Sequence, residues 1–219
     1  MKRRRTYRKG RSRRKKSYRR KYKKKSSRKG YLQTYRFSRR YIGNEIIPNS
    51  VGFANGAVAP ALGQVVNPTD FQNLFDQYCL VLHVCTFTLV TDPSTQQPVP
   101  ATGERLVPTL YWSHDNNDSN PPPTVNSLRE RQGCQVRYLR MGVPIRIVSK
   151  PALLIPAVIT VNASGTIVGS NLIPKTRQWC DTSDMATPHF TFKWAIDNAA
   201  PSSRIRVEQK LYFKCRGVR

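Results

Sequence analysis

Residues 2–29 gather cations at a density that serves polyanion chemistry. They are Lys2, Arg3, Arg4, Arg5, Arg8, Lys9, Arg11, Arg13, Arg14, Lys15, Lys16, Arg19, Arg20, Lys21, Lys23, Lys24, Lys25, Arg28 and Lys29, with Tyr7, Tyr18 and Tyr22 set among them. Guanidinium and ammonium groups neutralise phosphates and release counterions, while tyrosine rings stack on unpaired bases without demanding a sequence. The pattern suits single-stranded nucleic acid. The clusters at 3–5, 13–16 and 23–25 also match the basic patches that nuclear import receptors read. Sulfated glycans and anionic membrane surfaces would be attracted by the same charge.

Catalytic chemistry finds no comparable constellation. His83, His114 and His189 are isolated in sequence, without an HExxH, GxSxG, GxxxxGK[ST] or paired-histidine arrangement. His83 lies in an apolar run and reads as a satisfied core histidine. Asp115 and Asp118 in one polar loop, and Asp181 and Asp184 in another, could hold a cation, but loops of this composition are ordinarily turns. Cys79, Cys85, Cys134, Cys180 and Cys215 form an odd set without ligand spacing, so buried free thiols in a reducing compartment are expected. Cys79 and Cys85, six apart on one expected strand, would share a face at roughly 20 Å and cannot pair. No catalytic residue, metal site or cofactor is expected.

The charge density that marks the arm falls sharply in the rest. Of 38 Lys+Arg and 12 Asp+Glu, residues 1–30 hold 19 cations and no carboxylate, so the arm is +19 and the remaining 189 residues are +7 (19 − 12). An arm of this composition cannot bury enough apolar surface to offset its ordering entropy and is expected to be disordered until it meets a polyanion. The body, 31–219, is long enough for one sizeable core or at most two small ones. Two uncharged stretches, 46–69 and 151–174, match a membrane span in length, yet each carries three prolines that would leave backbone groups unsatisfied in lipid. No apolar run follows the basic start, so a cytosolic or nuclear location is expected rather than secretion.

From Tyr31 onward the period is two. Ile205, Val207, Leu211, Phe213 and Cys215 take one parity of the last segment, and Arg204, Arg206, Glu208, Lys210, Tyr212, Lys214 and Arg216 the other. In 189–196, Phe190, Phe192, Trp194 and Ile196 are expected inward, and His189, Thr191, Lys193 and Ala195 outward. Residues 78–90 are apolar on both parities, which predicts a central strand covered on both faces. Before it, Phe71, Leu74, Phe75 and Tyr78 have helical spacing behind a candidate Asn67 cap and Pro68 in the first turn. Many strands, polar loops and one short helix predict an antiparallel sandwich or barrel.

The order of these pieces resembles the capsid proteins of circular single-stranded DNA viruses, the circoviruses and especially the cycloviruses. It comprises the Arg/Lys/Tyr arm, TYRFSRRY (34–41), FQNLFDQY (71–78) leading into a long apolar strand, WCDTSDMATPHFTFKWAI (179–196) and RIRVEQKLYFKCR (204–216). The resemblance implies an all-β, eight-stranded antiparallel viral jelly roll of two four-stranded sheets. It further implies self-assembly into a T=1 icosahedral shell in the virion around a circular ssDNA genome. The arm would serve packaging and nuclear import after passage through the cytoplasm, and the shell surface host-cell attachment. Strands are expected near 31–42, within 51–66, and at 77–91, 107–113, 134–148, 175–181, 188–197 and 203–216, with an extra hairpin at 152–173. The second is the weakest, because Gly52, Gly56, Gly63 and Pro60 are poor strand material. About 60 arms would bring roughly 1,100 positive charges inside such a shell. Arg36, Arg40, Arg204, Arg206, Lys210 and Lys214 are expected to share an inner sheet face that holds DNA beneath the arm. A ribosomal or architectural nucleic-acid-binding protein would carry a similar tail, but an RNA-embedded body should be basic on several faces, and no recognition helix is visible.

Overall fold

β-Branched and aromatic residues alternating with polar ones make most of the body extended. The computed structural model describes residues 33–41, 44–91, 107–161, 164 and 167–218. Its strands are β1 (Tyr35–Tyr41), β2 (Glu45–Ile46), β3 (Ala54–Val58), β4 (Phe75–Thr91), β5 (Thr109–His114), β6 (Gln135–Tyr138), β7 (Ile145–Ser149), β8 (Ala152–Val161), β9 (Ile167–Thr176), β10 (Cys180–Asp181), β11 (Phe192–Asp197) and β12 (Arg204–Val218). Two short helices, α1 (Pro68–Leu74) and α2 (Asn126–Arg129), join them.

Eight strands form the expected jelly roll. One sheet runs β1-β12-β4 with β7 on the far side of β4, and the other runs β3-β11-β5-β6; every pairing is antiparallel. The first sheet has six strands rather than four, because β2 adds to β12 and β10 to β4. β8 and β9 pair with each other as a hairpin, where the extra hairpin is expected, and Ala152 at the start of β8 also bridges Phe190.

The apolar character of β4 on both parities has a different cause from the expected one. Its register against β12 shifts where Tyr212 pairs Leu82 and Phe213 pairs Leu80, leaving Val81 as the extra residue of a bulge. A bulge reverses which parity faces the core. Tyr78 and Leu80 face the core before it, and His83, Cys85, Phe87 and Leu89 after it, so the core-facing parity of β4 switches midway, while Cys79 and Val84 are buried on the opposite face. The same shift separates the faces of Cys79 and Cys85: Cys85 packs in the core, while Cys79 sits opposite Lys214. Burial pushes the Cys85 and Cys215 thiols up to about 12.

The two halves of β4 meet different covers. Cys85, Phe87 and Leu89 pack with Trp112, Phe192, Trp194 and Ile205 between the sheets. The other half overhangs the shorter sheet and is closed by Leu62, Val65 and Phe71, the last on α1. Phe71 lies edge-on to Phe213 at 4.9 Å between centroids. Pro68 occupies the first turn of α1 as expected, but Asn67 is left-handed (φ 54) and its side chain makes no capping bond.

Two strand assignments need correction. The stretch 134–148 is two strands in two sheets, turned at Gly142 (φ 71) with Pro144 behind it. The stretch 175–181 is no jelly-roll strand: β9 ends at Thr176, Arg177 is left-handed (φ 56), and β10 adds two residues to the sheet edge. The second strand does form, as β3, and its glycine has a packing reason. Gly56 pairs Trp194, and a Cβ there would come within 2.5 Å of the indole. Gly56→Ala is therefore expected to cost about 1–3 kcal/mol through overpacking, read as a lower urea midpoint; an unchanged midpoint would show that the ring can move aside.

Candidate nucleic-acid interface

The frame of the interface is β12. Burial of Ile205, Val207, Leu211, Phe213 and Cys215 turns Arg204, Arg206, Glu208, Lys210, Tyr212, Lys214 and Arg216 away from the core. β1 lies beside it without a register break, so Arg36 faces Lys214, Ser38 faces Tyr212 and Arg40 faces Lys210. Arg204 and Arg206 continue the row past the end of β1, where Glu45 of β2 pairs Arg206 and lies 3.9 Å from Arg204. The six body residues expected on one face therefore share it. The arm residues Lys2 to Lys29, with Tyr7, Tyr18 and Tyr22, lie outside the described residues.

Two further cations, which alternation along the chain does not reveal, join the face. Arg146 on β7 pairs Thr86 and borders a hollow with Arg40 and Lys210. Arg177 borders a second hollow with Arg36 and Lys214. The Gly142–Pro144 turn is the available signal for Arg146, since it moves that residue onto a strand of the basic sheet. Arg177 has no comparable signal, because a left-handed arginine is set by its surroundings. Arg216 donates Nε to Gln77 Oε1 at 2.7 Å and holds its guanidinium 4.2 Å from the centre of the Trp179 ring.

Electrostatics on this face run against stability. Like charges directly opposite each other on paired strands repel, and here Arg36 opposes Lys214 and Arg40 opposes Lys210. Glu208 is the carboxylate on the outward parity of β12, amid Arg206, Lys210 and Arg40. The long cation stems cover apolar side chains of β4, so Val84 is buried although it points away from the core. Such a face gains when a polyanion supplies the missing negative charge.

The second sheet is covered instead. Lys193 and Ala195, expected outward, are buried beneath the loop 115–131. His189 and Thr191, also expected outward, are buried as well, His189 against Tyr78 and Cys180 and Thr191 bonded to the Val58 carbonyl. The Lys193 ammonium lies 3.1 Å from the Asp115 carboxylate and 2.5 Å from that of Asp118, and Arg131 also bonds Asp115. The cation held by this aspartate pair is therefore a lysine of the chain itself. Burial acts to raise the Asp115 pKa, but the Asn117 amide, Arg131 and Lys193 outweigh it and hold the carboxyl below its usual range. Among the described residues no group of three or more His, Cys, Asp or Glu could hold a metal ion, and no helix is long and apolar enough to cross a membrane. His83 is fully buried, with Nε2 2.8 Å from Gln209 Oε1 and Nδ1 3.5 Å from Ser149 Oγ, the satisfied core histidine expected.

A family model described as Circovirus capsid protein matches residues 2–219. No curated protein matches the chain. Among solved structures, the 60-mer BFDV capsid protein is similar with a TM-score of 0.53 at 13% identity, covering 84% of this chain and 93% of that one. The decameric BFDV capsid protein gives 0.47 at 14% identity, covering 84% and 98%. The capsid fold is thus shared at a level where little sequence is.

Proposed function

The chain belongs to the circovirus capsid protein family, and from that premise we propose that copies of it close into a T=1 icosahedral shell around a circular single-stranded DNA genome. The observation that carries the DNA reading is the pair of like-charge oppositions, Arg36 to Lys214 and Arg40 to Lys210, on a sheet face with few carboxylates. A fold retains such repulsion where a ligand relieves it. In sequence the arm 1–30 runs directly into β1, the strand carrying Arg36 and Arg40, so the two sets of cations are neighbours along the chain. Facing inward, they would hold the genome through phosphate neutralisation and counterion release, with Tyr7, Tyr18 and Tyr22 stacking on bases. Before assembly the clusters at 3–5, 13–16 and 23–25 serve nuclear import. The outer surface meets the host cell, with sulfated glycans as the class of ligand that a basic protein attracts.

Assembly and DNA binding are separable. The sextuple variant Arg36→Gln, Arg40→Gln, Arg204→Gln, Arg206→Gln, Lys210→Gln and Lys214→Gln, expressed as the full chain, is expected to form closed particles with less nuclease-resistant DNA. Negative-stain microscopy and the ratio of absorbance at 260 to 280 nm read the two properties. Failure of particles to form would assign the face to a subunit contact. Wild-type particles free of DNA after expression and reassembly with single strands would remove the packaging role.

A further inference from the structure

Tyr212 is the aromatic residue at the centre of the basic face, and it borders both hollows described above. On one side of it lie Arg40, Lys210 and Arg146; on the other lie Arg36, Lys214 and Arg177. Along β12, Lys210 and Lys214 stand two residues away in each direction, roughly 7 Å from Tyr212 at the rise of a strand. Across from the ring on β1 is Ser38, the shortest side chain of that row, and Tyr212 is half-buried. Beneath one hollow the floor is apolar, built from Val81 and Leu82 at the β4 bulge. The Lys210 ammonium lies 5.0 Å from the ring centre, the one cation placed over it among the described residues.

We propose that Tyr212 is a stacking platform for an unpaired base of single-stranded DNA, its flanking phosphates taken by the cations on either side. This rests on the DNA-packaging reading above and adds to it a defined subsite on the ordered body. A flat ring beside an apolar floor and within a rim of cations matches one nucleotide: the base needs a π-face, and the phosphates need positive charge within a residue or two. A duplex would not fit, because its bases are stacked and paired, leaving only phosphates to meet the rim. The bulge at Val81 adjoins the site: the register shifts between the Tyr212–Leu82 and Phe213–Leu80 pairs, and the extra residue, Val81, lines the apolar hollow beside Leu82. Lys210 shares the ring face by a cation–π contact in the free protein and is free to swing to a phosphate when the base arrives.

The test uses the full-length protein with a 5-iododeoxyuridine-substituted 30-mer single strand, irradiated, digested and mapped by mass spectrometry. An adduct on Tyr212, besides those on arm tyrosines, is the expected result. Tyr212→Leu should lower the preference for single-stranded over duplex DNA by about 5- to 150-fold, the range for losing one stacked base, while Tyr212→Phe should retain it within about twofold. If DNA binds and adducts fall only on Tyr7, Tyr18 and Tyr22, the platform is refuted and the packaging reading stands. If the full-length chain binds no single strand, both fall. Should Tyr212→Leu misfold, the adduct map of the wild-type chain decides alone.

Discussion

Replacing Lys193 by methionine is expected to destabilise the folded chain by about 3 kcal/mol, the lower end of what stranding one member of a buried ion pair costs. The substitution keeps the apolar stem and deletes the ammonium that lies between Asp115 and Asp118. Asp115 is itself buried, and losing a partner leaves its charge dependent on Arg131 and the Asn117 amide alone. Those remaining partners are why the cost falls at the lower end. The effect should extend beyond one contact, because Lys193 fastens the loop 115–131 over the second sheet. Under that loop Val125 and Leu128 pack on Tyr111 and Ala195, and the Arg129 guanidinium covers the Tyr111 ring at 4.8 Å. Urea denaturation would give the stability change, and limited proteolysis would report an opened loop as new cleavage within 115–131. A loss under about 1 kcal/mol with no new cleavage would mean that water already reaches the cluster. Adding Asp115→Leu to Lys193→Met should recover most of the loss, since replacing a whole buried ion pair by apolar groups is often neutral.

Acid should weaken the fold through His83, by about 3 kcal/mol between pH 6.5 and 4. Burial among apolar residues lowers its pKa from 6.5 to about 4, with the Gln209 hydrogen bond acting in the opposite direction. The unfolded chain therefore binds a proton in that interval that the folded chain refuses. Stability is fully present above pH 6.5 and is lost as pH falls toward 4, at about 1.4 kcal/mol for each pH unit crossed. The side chain touches Tyr41 of β1, Gln209 of β12, Ser149 of β7 and Phe192 of β11, so charging it would disturb both sheets. His189, also lowered by burial, contributes in the same direction. His83→Gln should be less stable than the wild type at pH 8 yet lose less on acidification, leaving the part due to His189. Denaturation midpoints at half-unit intervals would show this. Parallel curves for the two proteins would place the acid sensitivity elsewhere. Asp115 and Asp118, both held below the carboxylate range, weaken the fold only below about pH 4, outside that window.

What can be read from the residues depends on whether the signal is local. The alternation in 204–216 places both faces of β12 and with them Lys210, Lys214, Arg204 and Arg206, because a strand's side chains alternate whatever lies beside it. Thr34–Tyr41 gives Arg36 and Arg40 by the same rule, and the register of β1 on β12 brings the two rows together. Where long-range contacts choose, reading along the chain fails. A bulge makes β4 look two-faced, and the turn at Gly142 hides inside a stretch that reads as one strand. Lys193 reads as solvent-facing because nothing near it in sequence shows that a loop carrying Asp118, 75 positions earlier, will fold over it. Gly56 looks like a strand breaker for the same reason, its partner being an indole 138 positions later (194 − 56).

The sequence by itself determined the basic arm, the alternating strands and the likeness to a capsid family. The arm and the strands rest on composition and on periods of two, which survive any choice of neighbours, and the likeness rests on the order of particular segments along the chain. Only the tertiary structure decided which cations meet, that Asp115 and Asp118 enclose a lysine, and that Tyr212 stands amid the basic rows. Those facts follow from strand register and loop packing, where the free energy comes from surfaces brought together across the whole chain rather than from any short stretch of it.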